Sequence, residues 1–130
     1  MTAGSVRIGI DVGGTKALGV AVDAAGAVVA QDRRPTPRGE DSLEPLIDTL
    51  GELADSLGFD GSLGIGVPGL VTREGVLHAA PNLDGVAHFA VAELVGARLG
   101  HRVAVDNDAT CATVAEWQLG AARGAADVIL

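Results

Sequence analysis

The hydrophobic pattern of the first 30 residues constrains the fold more than any other feature of the chain. The alternating apolar residues are Val6, Ile8 and Ile10 before two adjacent glycines, and Leu18, Val20 and Val22 after them. Because side chains on a strand point alternately to opposite faces, this pattern predicts two strands joined by a tight turn. After a turn at 23–26, a third apolar run from Ala27 to Ala30 predicts a third strand. The chain therefore begins as an antiparallel meander.

The apolar period then changes from that of a strand to that of a helix. Residues 33–41 are polar and contain two prolines, which predicts a loop. From Ser42 to Leu57 the apolar residues recur at helical spacing. Ser42 is the predicted N-cap of this helix, and Gly58 lies just beyond its end.

The rest of the chain alternates between strand and helix patterns. Strands are predicted within 62–71, where Pro68-Gly69 ends the run, at 102–105 and from 127 onward; helices are predicted at 88–100 and 108–119; a small hairpin turns at Glu74–Gly75. Strands and helices in alternation predict an α/β fold.

Length and composition limit the classes of protein that this chain can represent. The 130 residues suffice for one domain, and 48% of them are hydrophobic, which is typical of a globular chain. No apolar run approaches the roughly 20 residues of a membrane helix, and the N-terminus lacks the pattern of a secretory signal. The one cysteine cannot form an internal disulfide. We therefore expect a soluble, cytoplasmic protein without a membrane partner.

The charge balance argues against nucleic acid as a partner. The formal net charge is −8, and the nine Lys and Arg residues are scattered along the chain. Binding to a phosphate backbone depends on clustered cations. Any phosphate ligand must therefore be held locally, by a few residues.

Residues Asp11–Lys16, with the sequence Asp-Val-Gly-Gly-Thr-Lys, interrupt the first hairpin. They do not form a Walker P-loop or a dinucleotide fingerprint, because both motifs lead into a helix and here a strand pattern follows. The N–H groups of Gly13 and Gly14, with the Thr15 hydroxyl and the Lys16 cation, can bind an anion. Asp11 can then hold hydrated Mg²⁺. An ordinary Gly-Gly turn with a surface lysine explains the same residues, and both interpretations stay open.

A second polar group, Asp106-Asn107-Asp108, follows a buried strand where a helix begins. Such a position is where open α/β sheets bind ligands. Capping of the helix accounts for Asn107 or Asp108, but not for all three residues. An aspartate here can orient a hydroxyl group and accept its proton, and Asn107 can bind a neighbouring hydroxyl.

Two further stretches supply small and amide residues to the same region. Gly66 and Gly69 let the main chain approach a ligand, and Asn82 provides an amide in the loop at 80–85. Together with Asn107, these residues form a lining suited to a neutral polyol.

These stretches, taken in order, resemble a known family. The sequences IDVGGTK, GIGVPGLV, APNLDG, VDNDATCA and GAARGAADVIL are similar in order and spacing to the N-terminal half of the ROK family of bacterial sugar kinases, glucokinases especially. The resemblance covers nearly the whole chain. It implies a ribonuclease-H-like, actin-like ATPase fold, in which residues 1–130 form the N-terminal lobe with a mixed sheet and flanking helices.

The resemblance also implies a role for each motif. Asp11, Gly13, Gly14, Thr15 and Lys16 would bind the phosphates of ATP, with Asp11 holding Mg²⁺ through water. The residues that would surround the hexose are Gly69, Asn82, Asn107 and Asp108. Asp108 would be the catalytic base that accepts the proton of the sugar 6-hydroxyl.

The second lobe of such a kinase has no counterpart in this sequence. The chain is therefore expected to be truncated before the C-terminal lobe and to be inactive alone, without the structural zinc site of many relatives. The resemblance implies a homodimer for the full-length protein. Where many members have Glu before Asn-Asp, this chain has Asp106.

Three functions stay open from the sequence. The first is ATP-dependent phosphorylation of glucose to glucose 6-phosphate as part of a longer chain. The second is phosphorylation of another hexose or an N-acetylhexosamine. The third is a non-catalytic sugar-binding or regulatory module that retains the pocket.

Several reactive or charged residues receive a structural interpretation only. Cys111, one turn into the third helix, is expected to be packed as a small hydrophobic residue. Arg33, Arg34 and Arg38 are expected in a solvated loop.

Overall fold

The computed structural model describes residues 5–38, 42–79 and 88–129. Its strands are β1 (Arg7–Val12), β2 (Lys16–Val22), β3 (Val28–Pro35), β4 (Leu63–Val67), β5 (Leu70–Val71), β6 (Val76–Ala79), β7 (Phe89–Ala90) and β8 (Ala104–Asn107); its helices are α1 (Leu43–Ser56), α2 (Val91–Leu99) and α3 (Asp108–Leu119). The predicted α/β class is confirmed.

Five strands form a mixed sheet in the order β3-β2-β1-β4-β8. The meander β1-β2-β3 is antiparallel as predicted, whereas β4 runs parallel to β1 and β8 runs parallel to β4. The parallel strands are joined by crossovers that contain α1 and α2. The short strands β5, β6 and β7, which follow β4 and precede α2 in the chain, form a separate antiparallel sheet.

The two faces of the five-stranded sheet differ in the size of their side chains. One face carries bulky residues such as Ile8, Ile10 and Ile65, which are at most 3% exposed. These residues share a hydrophobic cluster with the buried face of α1, including Leu50 and Leu53. This face therefore holds the core, and α2 packs beside α1.

The opposite face carries small residues at its centre. The strand pairing aligns Val20, Gly9, Gly64 and Ala104 in one row across β2, β1, β4 and β8. A side chain built at Gly64 would meet nothing within 4 Å. Helix α3 lies against β4 and β8 and contributes no buried residue. A cavity therefore remains between α3 and the sheet.

Strand β3 is longer than the sequence predicts. The expected run ended at Ala30, and residues 33–41 were expected as a loop, but the strand continues to Pro35. Its polar residues bridge to α1: Ser56 donates a 2.9 Å hydrogen bond to Asp32, and Arg34 donates a 2.8 Å bond to Glu52. Because β3 is an edge strand, its terminal proline leaves no donor missing inside the sheet.

Two other predicted boundaries move for similar reasons, and one predicted strand is absent. Helix α2 begins at Val91 and not at 88, because Phe89–Ala90 pair with β6. The strand expected at 102–105 is Ala104–Asn107, since its polar end pairs with β4. The expectation of a strand from 127 is wrong for residues 127–129, which have no neighbouring strand in the described chain and end on a fully exposed Ile129.

Two helices end just before the glycines that the sequence predicts at their C-termini. One predicted N-cap residue makes no capping hydrogen bond. Gly58 and Gly100 take left-handed conformations beyond α1 and α2. Ser42 precedes α1 but makes no capping hydrogen bond through its side chain, because its own backbone is already helical. Within the described ranges the longest helix has 14 residues, and no helix has the length and hydrophobicity of a bilayer span.

The α1 contact with the sheet predicts a large effect of one core substitution. Leu50 is fully buried, so Leu50→Ala should lower the free energy of unfolding by about 2–5 kcal/mol. Leu119→Ala is the matched control, because this helical leucine is 77% exposed and should change stability by about 0.5 kcal/mol or less. Urea denaturation measures both. Equal effects would show that α1 does not hold the core as described.

Candidate active site

Polar residues collect where β1, β4 and β8 end. The strand pairing places Asp11, Gly66 and Asp106 in one row on the small-residue face of the sheet. Asp108 follows as the first residue of α3. The two stretches that the sequence singled out, 11–16 and 106–108, therefore meet at the carboxyl ends of parallel strands, where α/β sheets bind ligands.

A cavity of about 880 Å³ lies between α3 and this face of the sheet. Its floor consists of small residues such as Gly9, Gly64 and Ala104. Its lining residues also include three carboxylates, Asp11, Asp106 and Asp108. A groove of this size, largely apolar with a few convergent polar groups, has the character of a small-molecule site.

Gly66 lies where the first turn of α3 approaches the sheet. A Cβ atom at this position would lie 3.4 Å from the Cα atom of Asp108 and 3.6 Å from the Cys111 sulfur. A larger side chain would push the first turn of α3 away from β4. A Cβ atom alone would fit here in ordinary van der Waals contact, so Gly66 limits the size of the side chain that the close approach of α3 to the sheet allows.

The carboxylates influence each other across the cavity. Partial burial and, to a smaller extent, the charge on Asp108 raise the pKa of Asp11. Asp11 as a whole residue is exposed, so its carboxylate sits at the cavity rim and is only partly desolvated. The cause is geometric, because Asp11 and Asp108 line the same cavity.

Cys111 was expected to pack as a small hydrophobic residue, and this prediction is wrong. Its side chain is exposed and lines the cavity, because α3 buries none of its residues. Partial burial of the sulfur, followed by the charges on Asp106, Asp108 and Asp11, raises the pKa of its thiol. A raised pKa keeps the thiol protonated and lowers its reactivity.

Asn107 connects α3 to the loop after β4. Its Oδ1 atom accepts a 3.1 Å hydrogen bond from the N–H of Thr110, so it is the N-cap of α3. Its Nδ2 atom donates a 2.8 Å bond to the carbonyl of Gly69, whose φ of 116° favours glycine. The capping interpretation is therefore confirmed for Asn107. Its role in binding a sugar stays a prediction, for which one amide N–H is left.

Asp108 keeps part of its carboxylate available. One oxygen accepts a 2.8 Å bond from the N–H of Ala109, and the described residues provide no partner for the other. The side chain is half-buried at the cavity. Asn82, the remaining predicted sugar ligand, lies outside the described residues.

The hairpin tip between β1 and β2 is closed by a hydrogen bond of 2.9 Å from the N–H of Gly13 to the carbonyl of Lys16. A Cβ atom at Gly13 would lie only 3.0 Å from the same carbonyl oxygen. No described residue accepts a hydrogen bond from the N–H of Gly14 or Thr15. Those two donors, with the exposed Lys16, form the side of the tip that can receive an anion.

Two residues that sequence reasoning missed hold this tip in place. Thr36 is 4% exposed; its hydroxyl donates a 2.8 Å bond to the Gly13 carbonyl, and its N–H donates a 2.9 Å bond to the Thr15 carbonyl. The Nε atom of Arg38 donates a 3.0 Å bond to the Gly14 carbonyl. The only signal in the sequence is that Thr36 lies between two prolines, inside a segment that was predicted as a loop.

The donor set suits Mg²⁺ better than a structural metal ion. Among the described residues there is no group of three or more His, Cys, Asp or Glu that could hold a metal ion. Mg²⁺ in nucleotide sites commonly has one or two carboxylates, several waters and phosphate oxygens as ligands. Asp11, exposed beside the tip, fits such a water-mediated role.

The comparisons with known proteins point to one family. A family model described as ROK family matches residues 7–130. A glucokinase from Streptomyces coelicolor is 34% identical over 128 residues, and an N-acetyl-D-glucosamine kinase from Escherichia coli is 41% identical over 114 residues. These alignments cover 95% and 83% of this chain but only 39% and 36% of the relatives.

Solved structures give the same result for the fold. A ROK family glucokinase from Streptomyces griseus, in complex with glucose and AMPPNP, superposes with a TM-score of 0.81 and 32% identity over 92% of this chain and 38% of its own. An inorganic polyphosphate/ATP-glucomannokinase from Arthrobacter also reaches 0.81, at 33% identity, over 93% of this chain and 51% of its own. The fold is the actin-like one of these kinases, as expected.

Thr36 bonds the carbonyls of Gly13 and Thr15, and we call this pair of bonds the clamp on the hairpin tip. Its removal should lower the stability of the protein. Thr36→Val keeps the shape of the side chain and leaves the Gly13 carbonyl without its donor, which should lower the free energy of unfolding by about 1–2 kcal/mol. Thr49→Val is the matched control, since the Thr49 hydroxyl bonds the Pro45 carbonyl on the exposed surface of α1 and should contribute much less. Denaturation with urea compares the two variants. A loss no greater for Thr36 than for Thr49 would contradict the clamp.

Because the pKa of Asp11 is raised, removal of its charge should increase the free energy of unfolding by an amount that depends on pH. The folded state disfavours ionised Asp11, so Asp11→Asn should raise the free energy of unfolding at pH 7. The gain should shrink as the pH falls through the raised pKa and vanish below the ordinary value of 3.8, where Asp11 is protonated in both states. Asp60→Asn, on an exposed loop, is the control. A gain that is independent of pH, or equal in both variants, would contradict this electrostatic account.

Proposed function

The chain belongs to the ROK family, and we propose that it forms the N-terminal lobe of an ATP-dependent hexose kinase. The observation that carries the proposal is that Asp11, which leads directly into the hairpin tip, and Asp108 line one cavity. Transfer of a phosphoryl group to an alcohol requires a phosphate site and a carboxylate base near each other.

The second lobe is part of the same proposal. The chain spans 39% of the Streptomyces coelicolor glucokinase, and its cavity is open toward solvent. We propose that further residues beyond this chain bring the remaining ligands of the nucleotide and the sugar. The homodimer stays a prediction from the resemblance, and the cytoplasmic location stays a prediction from the sequence.

In the proposed reaction, Asp108 accepts the proton of the sugar 6-hydroxyl as that oxygen attacks the γ-phosphorus. The new bond joins the sugar oxygen to phosphorus, the bond from phosphorus to the β-phosphate oxygen breaks, and ADP leaves with that electron pair. Half-burial beside the small-residue floor limits water around Asp108 and the hydroxyl group. Asn107, held by its bonds to α3 and Gly69, would orient a neighbouring sugar hydroxyl.

The hairpin tip would stabilise the charge that develops on the phosphoryl oxygens. The N–H groups of Gly14 and Thr15 are held by the bonded turn before the nucleotide arrives, so little reorganisation of these donors is needed, and the exposed Lys16 would add its charge beside them. Asp11 would hold Mg²⁺ through a water molecule, and Mg²⁺ when bound would neutralise part of the phosphate charge. The roles of Gly13 and Gly69 are to shape the turn and the loop that carry these groups.

Glucose is the hexose that we propose first, because the compared relatives include glucokinases from two Streptomyces species. An N-acetylhexosamine is the second candidate, because the relative of 41% identity is an N-acetyl-D-glucosamine kinase. A third candidate, a sugar-binding regulator without catalysis, is favoured by the likeness of the fold to a ROK family transcriptional regulator, at 21% identity and a TM-score of 0.77.

The role of Asp108 gives the test of this function. In the full-length protein, Asp108→Asn should lower kcat for hexose-dependent ADP formation by about 10²–10⁴-fold, because the amide cannot accept the proton. Sugar affinity, measured by calorimetry, should be largely retained.

The control for this test is Asp60→Asn, which removes an exposed carboxylate remote from the cavity and should leave kcat unchanged. An unchanged rate in Asp108→Asn would refute its role as base. A wild-type protein that binds the sugar but forms no ADP would favour the regulator.

A further inference from the structure

We infer that Arg38 is a second cationic ligand of the nucleotide phosphates, held beside the hairpin tip by the carbonyl of Gly14. This inference rests on the proposed ATP-dependent function. It assigns a binding role to a residue that the sequence placed in a solvated loop, and it extends the phosphate site beyond Asp11–Lys16 to the segment that follows β3.

Among the described residues, the side chain of Arg38 is bonded through one nitrogen only. Its Nε atom donates a 3.0 Å hydrogen bond to the Gly14 carbonyl. Its two Nη groups have no hydrogen-bond or ion-pair partner among the described residues. A guanidinium held this way retains two parallel donors, and such a fork matches the oxygens of a phosphate group.

The other structurally fixed arginines of the described chain have acidic partners. Arg34 contacts Asp32 and Glu52, with its closest approach, 2.8 Å, to Glu52. Arg98 lies within 3.7 Å of both Asp48 and Asp55. Arg38 is held by a neutral carbonyl and has no acidic partner among the described residues.

The position of that charge fits the tip. Gly14, whose carbonyl binds Arg38, also carries one of the two N–H groups that have no acceptor among the described residues. Lys16 is the other cation at the tip, and the carboxylates of the cavity repel phosphate oxygens. A second cation on the turn therefore offsets this repulsion where a polyphosphate would lie.

The segment that carries Arg38 is fixed in advance. Thr36, two residues earlier, is buried and bonds the carbonyls of Gly13 and Thr15. Pro37 limits the backbone between Thr36 and Arg38 to a narrow range of φ. Little conformational entropy is then lost when the guanidinium binds a ligand.

The experiment compares three variants of the full-length protein by steady-state kinetics. Arg38→Gln places its amide nitrogen at the depth of Nε, so it can keep the bond to Gly14 while the charge is lost. We expect KM for ATP to rise about tenfold or more in Arg38→Gln and Arg38→Ala, as for loss of a charged hydrogen bond. Arg38→Lys should recover part of the loss. KM for the hexose should change little.

Direct binding separates a phosphate ligand from a merely structural residue. The Kd of ATP should rise in Arg38→Gln, and the Kd of adenosine should stay the same, because adenosine has no phosphate. The matched control is Arg73→Gln in the turn between β5 and β6, an exposed arginine without an ion pair in the described chain.

Two outcomes would overturn the inference. If Arg38→Gln retains wild-type affinity for ATP while Arg38→Ala loses it, the side chain only positions the turn. If both retain it in an active kinase, Arg38 does not touch the nucleotide. Failure of the proposed function itself would be seen separately, as absence of ADP formation by the wild-type protein with every hexose.

Discussion

The approach of α3 to Gly66 is the contact on which the candidate site depends. The first turn of α3 lies so close to β4 that a Cβ atom at this glycine would already touch it, and Asp108 therefore lies beside the row that contains Asp11 and Asp106. Asn107 fixes the same turn from the other side by capping α3 and bonding Gly69. The position of Asp108, the proposed base, is therefore set by the close packing at Gly66 and by the two hydrogen bonds of the Asn107 side chain.

The hairpin tip is fixed in a complementary way. Its carbonyls are bonded by residues that follow β3, namely Thr36 and Arg38, so the N–H groups of Gly14 and Thr15 are left for a ligand. The long edge strand β3 makes this arrangement possible, since it carries the chain from the meander back to the tip. An acidic cavity and a cationic tip thus lie next to each other on a rigid sheet, as transfer of a phosphoryl group to a sugar would require.

The sequence predicted the parts of this structure that depend on local patterns. The alternation and the helical spacing located β1, β2 and α1. The polar group at 106–108 marked the point where β8 ends and α3 begins. The sequence failed where tertiary pairing outweighs local composition: β3 extends through Arg33 and Arg34 because both pair with β2, and Glu52 on α1 binds the Arg34 side chain. The clamp by Thr36 was equally hidden, because its acceptor lies 23 residues away in the chain. The exposure of Cys111 depends on what α3 faces, which no local pattern records.

Mapping where Mg·ATP contacts the chain would test the central claim most directly. Backbone amide resonances of isotopically labelled protein would be followed by NMR while Mg·ATP, and separately adenosine, is added. The account predicts that the amides of Gly14 and Thr15 shift with Mg·ATP and not with adenosine, while the amide of Gly26, in the turn between β2 and β3, stays unchanged. Shifts at Gly14 and Thr15 no larger than at Gly26 would contradict a phosphate site at the hairpin tip.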